Sequence, residues 1–293
     1  MRNMPIASSE MIVNPDGSIF HLHVRPEQLS GKVILVGDPG RVTLVASYFD
    51  NIECEVSNRE FHTVTGSYKG KRITVVSTGI GCDNIDIVMN ELDALVNVDF
   101  DSRCVRNELR QLELVRIGTC GGLQPFTPVG TYIASARSIG FDGLLNFYGG
   151  RNEVCDLDFE AAFVEHMNWT GTQCISHPYV VKADDELMQR IAGEDMIRGV
   201  TVACGGFYGP QGRVLRLPLA DPMANSKIES FVYGEERITN FEMESSALAG
   251  LARLMGHKAV TCCLVIANRV AHKANTDYKN SIESLIELVL DRI

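Results

Sequence analysis

The sequence predicts an α/β protein in which helices surround a central sheet, and two patterns support this prediction. The first is a set of short apolar runs that end in glycine or a polar turn, as expected for strands covered on both faces. The second is a set of intervening segments whose apolar residues recur every three or four positions, as in amphipathic helices. The strand-like runs are KVILVGDPG (32–40), RITVVSTGIG (72–81), LELVRIGTCGG (112–122) and AVTCCLVIANR (259–269). The helix-like segments are RVTLVASYF (41–49), NIDIVMNELDALV (84–96), DFEAAFVEHM (158–167), DDELMQRI (184–191), EMESSALAGLARLMG (242–256) and NSIESLIELVLDRI (280–293).

Polar residues follow the predicted strands at the point where each strand ends. Any one of these clusters could be an ordinary turn from a strand into a helix. In open α/β sheets, however, ligands bind outside the carboxyl ends of the strands, so the clusters together predict one binding site at that edge. The clusters are 37–41, 78–81, 116–121 and 268–269.

Two of these clusters combine an arginine with glycines, which leave the neighbouring backbone N–H groups accessible. Arg41 follows Gly37, and Arg116 precedes Thr119. A guanidinium beside free backbone N–H groups is typical of an anion site. Neither cluster is a Walker A loop or a G-x-G-x-x-G fingerprint, so the pattern indicates a free phosphate ion rather than a nucleotide cofactor.

The segment CGGFYGPQGR (204–213) contains four glycines and a proline, residues that weaken helices and strands. Such a cluster fits a surface turn. It also fits a recognition loop, because Gln211 and Arg213 together offer donors and an acceptor to a flat polar ring, while Phe207 or Tyr208 offers an aromatic face. The residues alone leave both interpretations open.

Two carboxylates occur two residues apart in FEMES (241–245), at the predicted start of a helix. Acidic residues at that position stabilise a helix through its dipole. This is the commoner explanation. Residues two apart on a helix also point to different faces, so a functional interpretation is that one of Glu242 and Glu244 is directed to the surface while the other reaches a ligand hydroxyl. A pair of glycosidase acids is a third interpretation, which spacing in sequence cannot test.

Two histidines, His21 and His23, alternate along a segment predicted to be extended. An H-x-H pair can bind a metal ion, but the sequence has no further cluster to complete a coordination shell. We therefore expect no metal here and interpret the pair as surface or interface residues.

Composition argues against several classes of partner. The 293 residues can bury a full core, and their formal net charge of −10 disfavours binding to nucleic acid or to an anionic membrane. The nine cysteines include no C-x-x-C pair, which argues against a disulfide framework and a structural zinc site. The N-terminal segment lacks the apolar run of a signal peptide, and no apolar run is long enough to span a bilayer. We expect a soluble, cytoplasmic protein.

Eight short motifs occur in an order that resembles uridine phosphorylases of the nucleoside phosphorylase superfamily. The resemblance covers residues 19–293 and depends on the order of the motifs. It implies a single-domain, three-layer α/β/α fold with a central mixed sheet, preceded by an N-terminal extension at 1–18. The motifs are FHL (20–22), GDPGR (37–41), NREF (58–61), STGIG (77–81), RIGTCGG (116–122), GFYGPQGR (206–213), FEMES (241–245) and VIANR (265–269).

The resemblance implies phosphate-dependent, reversible cleavage of the N-glycosidic bond of uridine, with inorganic phosphate as co-substrate and no cofactor. The family's REF arginine reaches the phosphate of a neighbouring subunit, and its FHL histidine reaches the ribose across the same interface. Arg59 and His21 are therefore expected to complete the site of a partner in a homo-oligomer. The residues expected to bind phosphate within one chain are Gly37, Arg41, Arg116 and Thr119.

The resemblance also assigns residues to the nucleoside. Met243 is expected to pack on the ribose, and Glu244, next to Glu242, to accept from its hydroxyls. Gln211 and Arg213 are expected to read the pyrimidine edge. Cys120, Gly121 and Phe207 are expected to line the base pocket. The residues expected to act in the reaction are Arg116, Arg213, Gln211 and Glu244.

The chemistry of the reaction agrees with these roles. Cleavage of an N-glycosidic bond builds an oxocarbenium-like ribosyl cation, as in glycoside hydrolysis, while negative charge accumulates on the departing base. Phosphate beside the anomeric carbon stabilises the cation and then captures it. Hydrogen bonds from Arg213 and Gln211 stabilise the leaving anion.

Three alternatives remain at the level of sequence. A purine nucleoside phosphorylase of the same fold is disfavoured, because those enzymes resemble one another in carrying an aspartate where this chain has Asn268, and an amide cannot protonate a purine. A hydrolase would not need Arg41, Arg59 and Arg116 together. A nucleoside-binding relative without turnover is disfavoured because every charged position is filled. The sequence leaves open a monovalent cation near Glu60, dimer against hexamer, and uridine against its deoxy and thymine analogues.

Overall fold

The apolar runs form the central strands of one sheet in the computed structural model, which describes residues 4–169, 177–271 and 273–293. The predicted α/β class is confirmed, since helices flank a sheet of mixed strand direction. Of the nine cysteines, Cys174 lies outside the described residues. The strands are β1 (Lys32–Val36), β2 (Asn51–Asn58), β3 (Phe61–Tyr68), β4 (Lys71–Ser77), β5 (Val98–Asp99), β6 (Cys104–Val105), β7 (Glu113–Gly122), β8 (Tyr132–Gly140), β9 (Tyr179–Lys182), β10 (Ile197–Ala203), β11 (Val232–Tyr233), β12 (Glu236–Glu242), β13 (Lys258–Asn268) and β14 (Lys273–Ala274). The α-helices are α1 (Pro39–Ala46), α2 (Cys82–Asn97), α3 (Arg151–Val154), α4 (Leu157–Met167), α5 (Asp185–Ile191), α6 (Ala224–Ser230), α7 (Ser245–Met255) and α8 (Lys279–Arg292).

The sheet combines parallel and antiparallel pairs. In the described part of the chain its order is β11-β12-β10-β8-β13-β7-β1-β4-β3-β2, with β9 added to β8 and β14 to β13. β1 pairs in parallel with both β4 and β7, and β7 pairs in parallel with β13. These parallel strands end at one edge of the sheet, so the residues that follow them come together in space.

Five strands close into a ring of pairings, which the sequence does not predict. β7 pairs with β13, β13 with β8, β8 with β10 and β10 with β12. The last residues of β12 then return to β7, where Phe241 lies opposite Gly121 and Asn240 opposite Gly122. This closure brings the carboxylate that ends β12, Glu242, beside the end of β7.

Alternation along the strands divides the core into two layers. On β1, Val33 and Leu35 pack with α2 and α7, while Ile34 and Val36 pack with α1, α5 and α8 on the opposite face. This is the period-two pattern of a strand buried on both sides. A third cluster, around Phe163 of α4, covers β10 and β12. The expected α/β/α layering is thus present.

The charged connection at 97–111 carries a short hairpin, because β5 and β6 pair antiparallel. This connection holds the segment near the N-terminus. The Arg103 guanidinium donates to the carbonyl oxygens of Ile6 at 2.7 Å, Ala7 at 3.1 Å and Met11, and the Ile6 N–H donates to Arg103 O at 2.8 Å. Residues preceding the predicted domain boundary at 19 therefore pack on the 97–111 connection.

Two local predictions are wrong. The segment of His21 and His23 is a turn rather than extended backbone, and His23 has a φ of 57°. Helix α7 begins at Ser245, so Glu242 belongs to β12 and Glu244 immediately precedes the helix. No helix among the described residues is both long and apolar enough to cross a membrane.

Candidate functional site

A cavity of about 300 Å³ opens where the parallel strands end, a size that suits a small organic ligand. Twelve of the predicted site residues line this cavity, so the motifs that are far apart in sequence come together in space. Six further residues line it that the sequence did not single out as ligand contacts. The predicted residues are Gly37, Arg41, Arg116, Thr119, Cys120, Gly121, Phe207, Gln211, Arg213, Glu242, Met243 and Glu244. The others are Asp38, Ile80, Gly118, Phe241, Ile266 and Ala267.

Arg116 lies at the centre of the charged part of the cavity. It is only 4% exposed, its Nη2 donates to Glu244 Oε2, and its Nη1 lies 3.5 Å from Glu242 Oε2. Burial lowers the pKa of Arg116, but the two carboxylates more than offset this and raise that pKa above its ordinary value. Its Nε and Nη1 are buried and make no hydrogen bond to any described residue. Buried donors of this kind carry a large cost unless a partner binds them.

Arg41 adds a second positive charge to the same region. Its Nη1 donates to the carbonyl oxygen of Ile117 at 3.3 Å, which ties helix α1 to strand β7. Burial, followed by repulsion from Arg116, lowers the pKa of Arg41. A half-buried guanidinium beside a buried one is favoured by a bound anion, because the anion offsets both charges.

Both carboxylates of the FEMES motif are buried, which corrects the expectation that one faces solvent. Glu242 is 4% exposed and accepts from the N–H groups of Glu244 at 2.9 Å and Ser245 at 3.0 Å and from Ser245 Oγ at 2.7 Å. Glu244 is 3% exposed, and its Oε1 accepts from the Gly81 N–H at 2.8 Å. Both therefore have fixed positions at the cavity floor.

The charges of this floor are coupled. Burial raises the pKa of Glu242 to about 7; Arg116 opposes that shift and the Glu244 carboxylate adds to it. Two carboxylates this close repel each other unless a cation lies between them. Arg116 is that cation, so its side chain connects the anion-binding part of the cavity to the carboxylate floor.

The opposite wall is formed by the glycine-rich loop. Gln211 is 3% exposed, and its Oε1 accepts from Arg213 Nη1. The Arg213 Nη1 also donates to the Phe207 carbonyl at 2.6 Å, and its Cζ stacks 3.7 Å from the centre of the Phe207 ring. A Cβ on Gly121 would lie 4.0 Å from Arg213 Nη2, so the guanidinium approaches the end of β7 closely. The loop thus presents a planar, donor-rich group to the cavity.

Two side chains hold this loop by its carbonyl groups. Arg269 Nη2 donates to the carbonyl oxygens of both Gln211 and Gly212 at 3.1 Å. Asn225 Nδ2 donates to the same two oxygens at 3.3 and 3.4 Å. Burial, followed by repulsion from Arg269, lowers the pKa of Arg213. These contacts show that the loop is an anchored element rather than a free surface turn.

Ile266 reaches the cavity through an irregularity that no sequence pattern signals. The pairing of β13 with β7 shifts register between Val265 and Ala267, which leaves Ile266 unpaired. A residue inserted in this way changes the face to which its side chain points. Asp38, Ile80 and Gly118 lie within the motifs identified from sequence. The predicted site residues beside them were the only sequence signal that they could line the cavity.

Asn268, which stands where the resemblance places an aspartate in purine enzymes, is not among the residues that line the cavity. Its Nδ2 donates to the carbonyl oxygens of Gln124 at 3.0 Å and Thr127 at 2.7 Å, and its Oδ1 accepts from the Ala271 N–H at 2.8 Å. Both amide donors of Asn268 therefore hold a neighbouring turn, and the side chains that line the cavity are the ones placed to contact a base.

Arg59 and His21 lie together but outside the cavity lining. Arg59 is exposed and stacks over Phe20, with its Cζ 5.6 Å from the ring centre. His21 pairs through Nδ1 with Glu91 Oε1 at 2.6 Å, and its carbonyl accepts from Asn58 Nδ2 at 2.7 Å. Their expected role in a partner's site stays a prediction, as does the cation near Glu60.

The sequence matches the family described as the phosphorylase superfamily over residues 32–291. It is 30% identical over 275 residues to a uridine phosphorylase of Thermococcus kodakarensis, covering 91% of this chain and 83% of the relative. It is also 28% identical over 279 residues to a purine nucleoside phosphorylase (DeoD-type) of Bacillus subtilis, covering 93% and 98%. Relatives with different base preferences are thus about equally similar.

Among solved structures, a nucleoside phosphorylase of Trypanosoma brucei, described as showing uridine phosphorylase activity, superposes with a TM-score of 0.86. The two chains are 29% identical, and the match covers 96% of this chain and 98% of the other. The family match spans most of the chain and includes every residue that lines the cavity. The protein belongs to the phosphorylase superfamily and, within it, to the nucleoside phosphorylases.

Proposed function

We propose that the protein is a uridine phosphorylase, which transfers the ribosyl group of uridine to inorganic phosphate and releases uracil. The observation that carries this proposal is the composition of the cavity. A buried guanidinium, Arg116, and a half-buried one, Arg41, lie at one end, and two buried carboxylates form the floor. Among the described residues, the wall at the other end contains no acid. These three regions match phosphate, ribose hydroxyls and a pyrimidine base.

Phosphate fits the charged end because it supplies what Arg116 lacks. The Nε and Nη1 donors of Arg116 have no hydrogen-bond partner among the described residues, and Arg41 lies close enough to repel it. A phosphate oxygen can accept from both guanidinium groups, while Gly37 and Thr119 supply nearby polar backbone and a hydroxyl. Phosphate is then held beside the carboxylate floor, where the ribose must lie.

Ribose fits the floor because its hydroxyls need acceptors. Each carboxylate oxygen of Glu244 already accepts one bond, from the Gly81 N–H or from Arg116, but keeps further acceptor capacity. A hydroxyl that donates to this carboxylate is fixed in orientation because the carboxylate itself is fixed. Met243, between the two glutamates, offers an apolar surface for the sugar ring.

A pyrimidine fits the acid-free wall because its departure requires no proton from the enzyme. The residues that line that wall, within the described chain, are Cys120, Gly121, Phe207, Gln211, Arg213, Ile266 and Ala267. Negative charge on departing uracil spreads to its ring carbonyl oxygens, and Arg213 can donate to one of them. The second lone pair of Gln211 Oε1 can accept from the base N–H.

The proposed reaction balances without a covalent enzyme intermediate. The bond between the anomeric carbon and the base nitrogen breaks, and its electron pair leaves with uracil. A phosphate oxygen forms the new bond to that carbon, which gives ribose 1-phosphate, and uracil takes a proton from water. The enzyme lowers the barrier by orienting phosphate and by stabilising charge at both ends of the breaking bond.

Release of uracil is expected to require phosphate, because the arginine cluster binds the nucleophile. Purified protein should be incubated with uridine in buffers with and without phosphate, followed by chromatographic detection of uracil and ribose 1-phosphate. Rapid release with phosphate and none without it supports phosphorolysis. Equal rates of uracil release in both buffers, with free ribose as product, would indicate a hydrolase instead. No release in either buffer would contradict uridine phosphorolysis, and a purine phosphorylase or a binding protein would then be told apart by the release of hypoxanthine from inosine.

We further propose that Arg59 and His21 act in the site of a partner subunit. Both lie on one exposed or half-buried patch with Phe20, and neither lines the cavity of its own chain. Glu91 fixes this patch by accepting from the N–H groups of His21 at 3.0 Å and Leu22 at 2.8 Å. An exposed arginine beside a hydrogen-bonded histidine, both outside the cavity lining, is suited to complete a second cavity in an isologous dimer.

Mixed dimers test this sharing directly. Arg59→Ala and Glu244→Ala chains are expected to be nearly inactive alone, and should be unfolded together and reassembled in equal amounts. Each mixed dimer then has one site with both defects and one with neither, so about a quarter of all sites should be intact. A mixture that stays as inactive as its parents, although mass spectrometry detects mixed dimers, would show that Arg59 acts within its own chain.

A further inference from the structure

The guanidinium of Arg116 lies over its own strand rather than beside it. Arg116 and Gly118 are two residues apart on β7, so their side-chain positions are on the same face. A Cβ placed on Gly118 would lie 2.3 Å from Arg116 Nη1 and 3.2 Å from its Cζ. The space that a side chain at 118 would fill is therefore the space that the guanidinium occupies.

Backbone conformation does not explain the glycine at this position. Gly118 is not among the glycines with a positive φ, so alanine could adopt its backbone angles without strain. It lies inside a buried ten-residue strand, where a glycine weakens the strand and contributes no packing. The remaining reason for a glycine at position 118 is that a neighbouring group needs the space that a side chain would fill.

We propose that Gly118 is a positioning residue that keeps the Arg116 guanidinium over β7, where it meets Glu244, Glu242 and the cavity. This inference rests on the proposed role of Arg116 in binding phosphate. A methyl group at position 118 would displace the guanidinium, because the nearest atom to it is Nη1, at the end of a long side chain, rather than backbone. Arg116 Nη2 would then lose its alignment with Glu244 Oε2, and Nη1 would leave the space above Gly118.

Cys263 is the other neighbour, and it provides the competing explanation. Its Sγ would lie 3.1 Å from a Cβ on Gly118, a tight contact that could disturb the adjacent strand β13. Cys263 does not line the cavity. If crowding against the Cys263 sulfur causes the defect of Gly118→Ala, then Cys263→Ala should relieve it. If displacement of the guanidinium causes the defect, then Arg116→Ala should make it disappear.

A double-mutant cycle separates these causes. Gly118→Ala is expected to lower kcat/KM for phosphate by on the order of a hundredfold, since small misplacements of binding groups have effects of that size. In the Arg116→Ala background the same change should cause no further loss, because the displaced group is already absent. Equal losses in both backgrounds, near-normal activity of Gly118→Ala, or its rescue by Cys263→Ala would each overturn the proposal.

Stability provides a readout that does not depend on turnover. Gly118→Ala should lower the midpoint of thermal unfolding in the wild-type background but not in the Arg116→Ala background. It should also abolish the rise in this midpoint that phosphate alone causes. If the wild type does not cleave uridine, the proposed function fails. The comparison of unfolding midpoints in the two backgrounds still tests the role of Gly118 in that case. An equal drop in midpoint in both backgrounds would contradict that role.

Discussion

Replacement of Arg116 by alanine is expected to lower kcat/KM by about a hundredfold or more. The substitution removes a charge-assisted hydrogen bond to phosphate worth ~1.5–3 kcal/mol and, with it, stabilisation of the transition state. It also leaves Glu242 and Glu244 buried beside each other without a cation. The pKa of Glu242, already raised to about 7, should then rise further.

Loss of stability must be separated from loss of catalysis. Arg137 offers a matched control, because it is 8% exposed and pairs with Asp156 and with Glu236 at 2.9 Å. Arg137→Ala should destabilise the protein but leave kcat/KM of the folded fraction near the wild-type value, since Arg137 is not among the residues that line the cavity. If folded Arg116→Ala keeps near-normal kinetics for both substrates, Arg116 is a structural residue.

Replacement of Arg213 by alanine is expected to lower kcat for uridine by about tenfold to a hundredfold. The change strands the buried Gln211 amide and removes a donor to the departing base, each a cost of ~1–3 kcal/mol. Gln211→Ala should have an effect of similar size. Steady-state kinetics at saturating phosphate measure both variants.

The loss should depend on the leaving group. In a uridine analogue such as 5-fluorouridine, the departing base is more acidic and carries the developing negative charge more easily. Arg213→Ala should therefore lose less activity with this analogue than with uridine. Arg216→Ala is the matched control, because Arg216 lies three residues further along the same loop and is exposed. Equal losses for both nucleosides would show that Arg213 only shapes the loop.

Local sequence patterns predicted the α/β class and the ligand edge of the sheet, and the resemblance in motif order implied the three layers and the remaining cavity residues. Strands such as β1 alternate between two apolar faces, and glycine with arginine at their ends marks a ligand edge. Each of these signals is contained in a few consecutive residues. They can therefore be interpreted without information on contacts between segments that are distant in sequence.

The parts that the sequence did not predict depend on contacts between distant segments. The return of β12 to β7 buries Glu242 and Glu244 together, although helical spacing had placed them on different faces. The register shift that exposes Ile266 to the cavity results from pairing with β7. The contact of Asn268 also depends on a distant segment, because its Nδ2 donates to the carbonyl oxygen of Gln124.

Base preference separates the proposed uridine phosphorylase from a purine enzyme, because relatives named for uridine and for purine nucleosides are about equally similar. The direct measurement is kcat/KM for uridine and for inosine at saturating phosphate. A wall with Gln211 and Arg213 and without an acid should favour uridine by on the order of a hundredfold or more, since a purine leaving group needs a proton that the wall cannot supply. Equal values, or a higher value for inosine, would contradict the account.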